Sequence, residues 1–184
     1  TPGQIALALA DDWERRRAAM AHAANMFVYY AAIRPTGVGK VLALPGLRDP
    51  LVTYRLTSRD MHLLRQGLGR LALVALRAGA TRVWPSVRGA AGASGERDIP
   101  AMVSALGGST ASLMTVHLFS SVPMGERADC PVDSFGRVRG ARGVFVNDAS
   151  LLPTAPGVNP QGAIMAVAAR NVARWLDTGE MARG

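Results

Sequence analysis

Apolar and polar residues repeat along this chain with two periods, and each predicts a different element. Near the start, Ile5, Leu9, Trp13 and Met20 fall on one stripe of a helix over residues 3–24, with much of the Arg15–Arg17 run on its solvated side. Residues 26–34, MFVYYAAIR, are aromatic and β-branched enough for a buried strand, and Pro35–Gly39 reads as a turn. Lys40–Leu44 and Leu51–Leu56 predict two more strands, separated by Pro45-Gly46 and Asp49-Pro50, so that three strands form a meander. The helical period returns over Arg59–Ala78, where Met61, Leu64, Leu68, Leu71, Val74 and Ala75 make an apolar face, with Ser58 as N-cap and Gly79 as C-cap.

Beyond that helix the pattern is more broken. Thr81–Ser86 reads as a short strand, and Val87–Asp98 as a small-residue surface linker without a packing signal. Ile99–Leu106 reads as a short helix begun at Pro100, Ser112–Phe119 as a strand that delivers His117, and Gly143–Asn147 as a buried strand. The Asn159-Pro160 step opens a last helix, because proline is favoured in a first turn, and Ile164, Ala168, Val172, Trp175 and Leu176 carry its stripe. Together these elements predict an α+β fold, a mainly antiparallel sheet backed by helices.

Composition narrows the function classes. A chain of 184 residues, 49% apolar, has room for one domain, or at most two, with a real core. Its 21 Lys+Arg against 13 Asp+Glu give +8, which raises the question of nucleic acid. Lys40 is the only lysine, however, the arginines are scattered, and aromatics are not interleaved with them, so no nucleic-acid partner is expected. Cys130 stands alone, which excludes an intrachain disulfide and a multi-Cys zinc site, suits a reducing compartment and leaves no metal expected. Acids follow directly on the first apolar run, unlike a signal peptide, and apolar runs such as Leu71–Leu76 are too short to span a bilayer. A cytoplasmic protein without a membrane span is expected. With no initiator methionine and no opening element, the chain reads as beginning inside a larger protein.

Few residues carry candidate chemistry. Gly67-Leu-Gly-Arg-Leu-Ala72 matches the dinucleotide-binding pattern by letters, but it lies mid-helix rather than between a strand and a helix N-terminus. Its glycines are expected to admit another element at close approach. Gly107-Gly-Ser-Thr-Ala111 is a near miss to a nucleophile elbow and has no supporting acid. His22 and His62 have no partner at ligand spacing. His117 ends an apolar strand just ahead of Ser120, Ser121 and a Pro-Met-Gly turn, where sites are often built, although a hydrogen-bonded core histidine fits the same pattern. The helix opened by Asn159-Pro160 aims free N–H groups and the positive end of its dipole forward. Asn159 serves there either as a plain cap or beside an anion or electron-rich ring.

These residues also carry a family resemblance. His117-Leu-Phe-Ser-Ser-Val-Pro-Met-Gly125, Val132-Asp133, Arg137-Val-Arg-Gly140, Val146-Asn-Asp148-Ala-Ser150 and Gly157-Val-Asn-Pro160 resemble, in order and spacing, the C-terminal signature of the glucose-methanol-choline (GMC) oxidoreductases. The match covers roughly residues 112–177. The resemblance implies a FAD-dependent enzyme oxidising a small-molecule alcohol by hydride transfer to flavin N5. In it His117 is the general base, a role that suits an imidazole because it titrates near neutral pH, and Asn159 is its partner at the substrate oxygen. It also implies that Asp148 and Ala149 line the cofactor, and that the backbone of Pro160 and Gln161 meets the flavin's pyrimidine edge. Ser120-Ser121 replaces the usual Gly-Thr of the pattern, and Ala163 a common threonine.

No strand followed by a glycine-rich pyrophosphate loop occurs upstream. The resemblance therefore implies a C-terminal portion: residues 1–140 from the substrate-binding domain, and residues 141–184 a terminal strand and helix that complete a FAD-binding α/β domain. The expected partner is an N-terminal FAD-binding portion, supplied as further sequence or as a second chain. Two other readings are a flavin-containing lyase on the same scaffold and a non-catalytic assembly module.

Overall fold

The computed structural model describes residues 1–179. Among them are five α-helices, several 3₁₀ turns and one small antiparallel sheet of two strands, an α+β fold. The chain divides into two compact units, one of Thr1–Val38 with Tyr54–Met114, the other of Gly39–Thr53 with the chain from Thr115 onward. The last five residues of the expected 141–184 segment lie outside the described residues.

In the first unit the expected helix over 3–24 is interrupted: α1 (Pro2–Leu9) and α2 (Trp13–Arg16) are separated and followed by 3₁₀ turns. The break sits at Asp12, whose backbone leaves the helical region, and whose carboxylate accepts a hydrogen bond from Gly89 N–H at 3.1 Å and pairs with Arg16 at 3.5 Å. Arg16 is not solvated as expected. It is 4% exposed and donates to the carbonyls of Pro85 (2.5 Å), Val87 (3.3 Å) and Ala90 (2.8 Å). The residues it grips are the other correction. Val87–Asp98 is no loose linker, because Val87, Ala90 and Ala93 are core residues and Ala93 exchanges both backbone hydrogen bonds with Val83.

That core forms against α3 (Ser58–Arg77) and α4 (Ile99–Ser104). Ala72, Ala93 and Met102 make one cluster, and Val87, Ala90 and Leu106 another, with Leu68 packed against both. The glycines of α3 do admit close neighbours: a Cβ at Gly67 would stand 3.1 Å from Ala31 Cβ, and one at Gly69 would stand 3.5 Å from Val103. The N-cap of α3 is Thr57, one residue before the expected Ser58, because Thr57 forms a reciprocal capping box with Asp60.

Asp60 is fully buried and accepts hydrogen bonds from Thr36 N (2.7 Å), Thr36 Oγ1 (2.9 Å), Gly37 N (2.9 Å) and Thr57 N (2.9 Å). Burial pushes this carboxyl up, but the backbone and hydroxyl donors of Thr36 and Thr57 outweigh it and hold it well below the usual carboxylate range. The folded-state value lies below the unfolded one. Its stabilisation is therefore present above about pH 4 and fades as the pH falls toward the depressed value. Asp60→Asn is expected to lower the thermal midpoint at pH 7, with the gap to wild type narrowing below about pH 4. A gap that stays constant from neutral to acid pH overturns this assignment.

The expected meander contains only two strands, β1 (Gly39–Leu42) and β2 (Leu51–Tyr54). Residues 26–34 run without a ladder, with Phe27 79% and Tyr30 81% exposed. Ser112–Phe119 likewise forms no strand beyond the bridge at Ala111, and Met114, Val116 and Leu118 are exposed. A strand exists only where a second backbone lies about 4.8 Å away, and among the described residues these two segments have no ladder, only the bond from Ser112 N to Ser86 O at 3.2 Å.

The second unit is built from tight turns closed onto α5 (Gln161–Thr178). Asp133 Oδ1 accepts from Phe135 N (2.8 Å) and Arg137 N (3.0 Å), and Gly136 follows with φ +81°. A side chain at Gly136 would also strike the Val146 carbonyl, so both conformation and space require glycine there. Gly143–Asn147 is reduced to a single bridge between Arg137 and Phe145. Val132 and Leu151 are buried, and Phe145 packs on Trp175 with ring centroids 4.7 Å apart. The buried stripe of α5 runs through Asn171 and Trp175, while Val172 and Leu176 are exposed. None of the described helices is long and apolar enough to cross a membrane.

Candidate active site

His117 lies in the second unit on an extended, bent segment and is exposed, its ring tilted 44° against Phe119 at 6.3 Å. The chain then turns at Ser120, which has φ +64°, the left-handed region that costs a side-chain-bearing residue about 1–2 kcal/mol. Ser120 Oγ donates to Leu152 O at 3.0 Å. Two backbone bonds extend this tether, Val122 N to Ser150 O (3.3 Å) and Met124 N to Leu151 O (3.0 Å). The segment leaving His117 is thus laid along residues 150–152.

Asp148 caps a 3₁₀ turn over Ala149–Leu151, with its Oδ1 accepting from Ser150 N (2.8 Å) and Ser150 Oγ (2.5 Å). The carboxylate is exposed and Ala149 is half-buried. Farther on, the chain turns at Gly157 (φ +81°) and enters α5 through Asn159 and Pro160. Pro160, not Asn159, is the N-cap, and Asn159 Oδ1 accepts a long bond of 3.5 Å from Gln161 N. Helix geometry leaves the N–H groups of Gly162 and Ala163 without intrahelical partners, and both residues are exposed beside Gln161. The positive end of an eighteen-residue helix therefore faces outward here.

Hydrogen bonds join the His117 segment to the Asp148 turn, but among the described residues none joins His117 to Asn159, and both side chains are exposed. No group of three or more His, Cys, Asp or Glu side chains is arranged to hold a metal ion among the described residues. Two features escaped the sequence reading. One is the strained backbone at Ser120. The other is a polar seam of Asn147, Arg170 and Asn171 beneath the turn; its signal was the spacing of Asn171 with Ile164, Ala168 and Trp175 on one helical face.

The sequence profile of the GMC oxidoreductase C-terminal domain matches residues 7–168. The chain belongs to the GMC oxidoreductase family. It is 44% identical over 172 residues to an uncharacterized GMC-type oxidoreductase of Sinorhizobium fredii, covering 92% of this chain and 34% of that protein. It is 30% identical over 158 residues to a long-chain-alcohol oxidase of Arabidopsis thaliana, covering 76% of this chain and 20% of that one. The crystal structure of pyridoxine 4-oxidase from Mesorbium loti shares the fold, with a TM-score of 0.55 at 23% identity over 78% of this chain and 28% of that one. The chain thus spans about a third or less of the length of the curated relatives it matches.

Membership in the GMC family gives Ser120 its meaning. By the resemblance drawn from the sequence it stands in place of a glycine, and the backbone there has the positive φ that glycine adopts freely. Ser120→Gly relieves the strain while losing the bond to Leu152 O, two effects of about 1 kcal/mol that nearly cancel. Ser120→Ala keeps the strain and loses the bond. Denaturant midpoints are expected to place Ser120→Ala below both wild type and Ser120→Gly by about 1 kcal/mol. The reverse order overturns this account.

Proposed function

We propose that the chain is the C-terminal part of a FAD-dependent GMC oxidoreductase that oxidises an alcohol. The observation that carries this reading is the tether of the His117 segment to the Asp148 turn, found in a chain of the GMC family. Residues 1–140 contribute to the substrate domain, and residues 141–184 return to the FAD-binding domain, whose remainder comes from sequence outside this chain.

The residues present suit the cofactor. The uncapped N–H groups at the start of α5, with the positive helix end behind them, match an electron-rich, anionic ring edge. The backbone of Pro160 and Gln161 would lie against that edge where it meets the free N–H groups of Gly162 and Ala163, with Asp148 and Ala149 lining the same cofactor. FAD, when bound, supplies the acceptor for the hydride that leaves the alcohol carbon. A neutral ring nitrogen of His117 accepts the hydroxyl proton as the C–O bond becomes a carbonyl, so one proton and one hydride leave the substrate. The Asn159 carboxamide donates a hydrogen bond to the substrate oxygen and fixes its orientation.

Similarity to a long-chain-alcohol oxidase makes long-chain alcohols the first class to try. Anaerobic mixing of the complete flavoprotein with a series of long-chain alcohols is expected to bleach the flavin absorbance. An oxidised spectrum unchanged by every alcohol, with a hydroxynitrile cleaved instead, overturns the redox reading in favour of a lyase.

A further inference from the structure

The polar seam of the second unit is built as a register lock. Asn171 is fully buried in the middle of α5, a position that the helical stripe would give to an apolar residue. Its Nδ2 donates to Asn147 Oδ1 at 3.1 Å, and Asn147 Nδ2 in turn donates to Ala168 O at 3.3 Å. Its Oδ1 accepts from Arg170 Nε (3.2 Å) and Nη2 (2.9 Å). Arg170 Nη2 also donates to Ser134 O, and its guanidinium lies 4.8 Å over the Phe135 ring. One helical turn on, Trp175 Nε1 donates to Phe135 O at 3.1 Å.

Two carboxamides bonded in this way resist sliding as an apolar pair does not, because a shift of one residue along α5 breaks the Asn171–Asn147 bond, displaces the Asn147–Ala168 one and strands buried polar atoms. Asn147 immediately precedes Asp148 and Ala149, while α5 carries Pro160 and Gln161 at its start. We propose that Asn147 and Asn171 are positioning residues that set the Asp148–Ala149 turn in register with the N-terminal end of α5. Together these two backbone pieces receive the flavin. This inference rests on the FAD-dependent reading above, and it concerns the protein's grip on the cofactor rather than the chemistry.

The test uses the complete flavoprotein in three forms: wild type, Asn171→Ala, and the double variant Asn147→Val with Asn171→Ala, which replaces the polar pair by an apolar one. The readouts are the FAD dissociation constant, the flavin midpoint potential and the thermal midpoint of the FAD-free protein. Asn171→Ala is expected to weaken FAD binding about tenfold or more and to shift the flavin potential, as loss of supporting contacts does at other cofactor sites. The double variant is expected to regain most of the thermal stability, but neither the affinity nor the potential. Recovery of all three readouts in the double variant overturns the proposal and makes the pair simple packing. So does an Asn171→Ala protein that binds FAD with wild-type affinity and potential. A wild-type protein that binds no FAD overturns the FAD-dependent reading as well, which separates the two failures.

Discussion

His117→Ala in the complete enzyme is expected to slow flavin reduction by alcohol by about 10²–10⁴-fold, the usual contribution of a positioned general base. Without the imidazole, the hydroxyl proton has to leave to water while the hydride departs, and the carbonyl cannot form in step with it. The side chain is exposed, with its ring tilted against that of Phe119. Its removal should therefore leave the thermal midpoint and the oxidised flavin spectrum close to wild type. Single-turnover stopped-flow at saturating alcohol separates the chemical step from binding. A variant that loses rate and folds normally supports the base assignment. A variant reduced at the wild-type rate removes His117 from the chemistry and leaves Asn159 to be tested alone.

Arg16→Met is expected to destabilise the first unit by about 3–5 kcal/mol, because it removes a buried guanidinium bonded to backbone carbonyls and strips half-buried Asp12 of its ion-pair partner. Ala90 O loses its donor, the carbonyls of Pro85 and Val87 keep only the backbone N–H groups of Val87 and Ala90, and Asp12 loses its counter-charge. Against a typical total of about 5–15 kcal/mol this is enough to open the unit. Arg16→Lys keeps the charge, but one ammonium nitrogen cannot occupy both the Nη1 and Nη2 positions that reach the carbonyls, so it should recover only part of the loss. Arg17→Ala is the control: Arg17 is exposed, its 3.9 Å pair with Glu14 is a surface contact, and the expected change is within about 1 kcal/mol. Urea unfolding and hydrogen exchange at Gly89, whose N–H is held by Asp12, measure the effect. Equal stabilities for the Arg16→Met and Arg17→Ala proteins overturn the clamp.

Whatever depends on near neighbours in the chain is legible in the residues alone. The periods of α3, α4 and α5 follow from residues three and four apart on one face, and proline or a capping residue marks where each helix starts. The dinucleotide pattern at Gly67–Ala72 could be rejected for the same reason, since a mid-helix position is a local property. The linked motifs from His117 to Pro160 were enough to reach the family, because they record turns and chemistry in chain order. Which segments gain partners from far along the chain is a property of the fold. Residues 26–34 and Ser112–Phe119 have strand-like side chains but no paired backbone, so they form no ladder. Arg16 reads as a surface charge until carbonyls some 70 residues away close over it, and the small residues of Val87–Asp98 become core because α3 and Arg16 enclose them. Ser120 and the Asn147–Asn171 pair belong to the same class. A positive φ and a buried carboxamide are stable only where distant partners, Leu152 in one case and Asn147 in the other, supply the bonds that offset strain and desolvation.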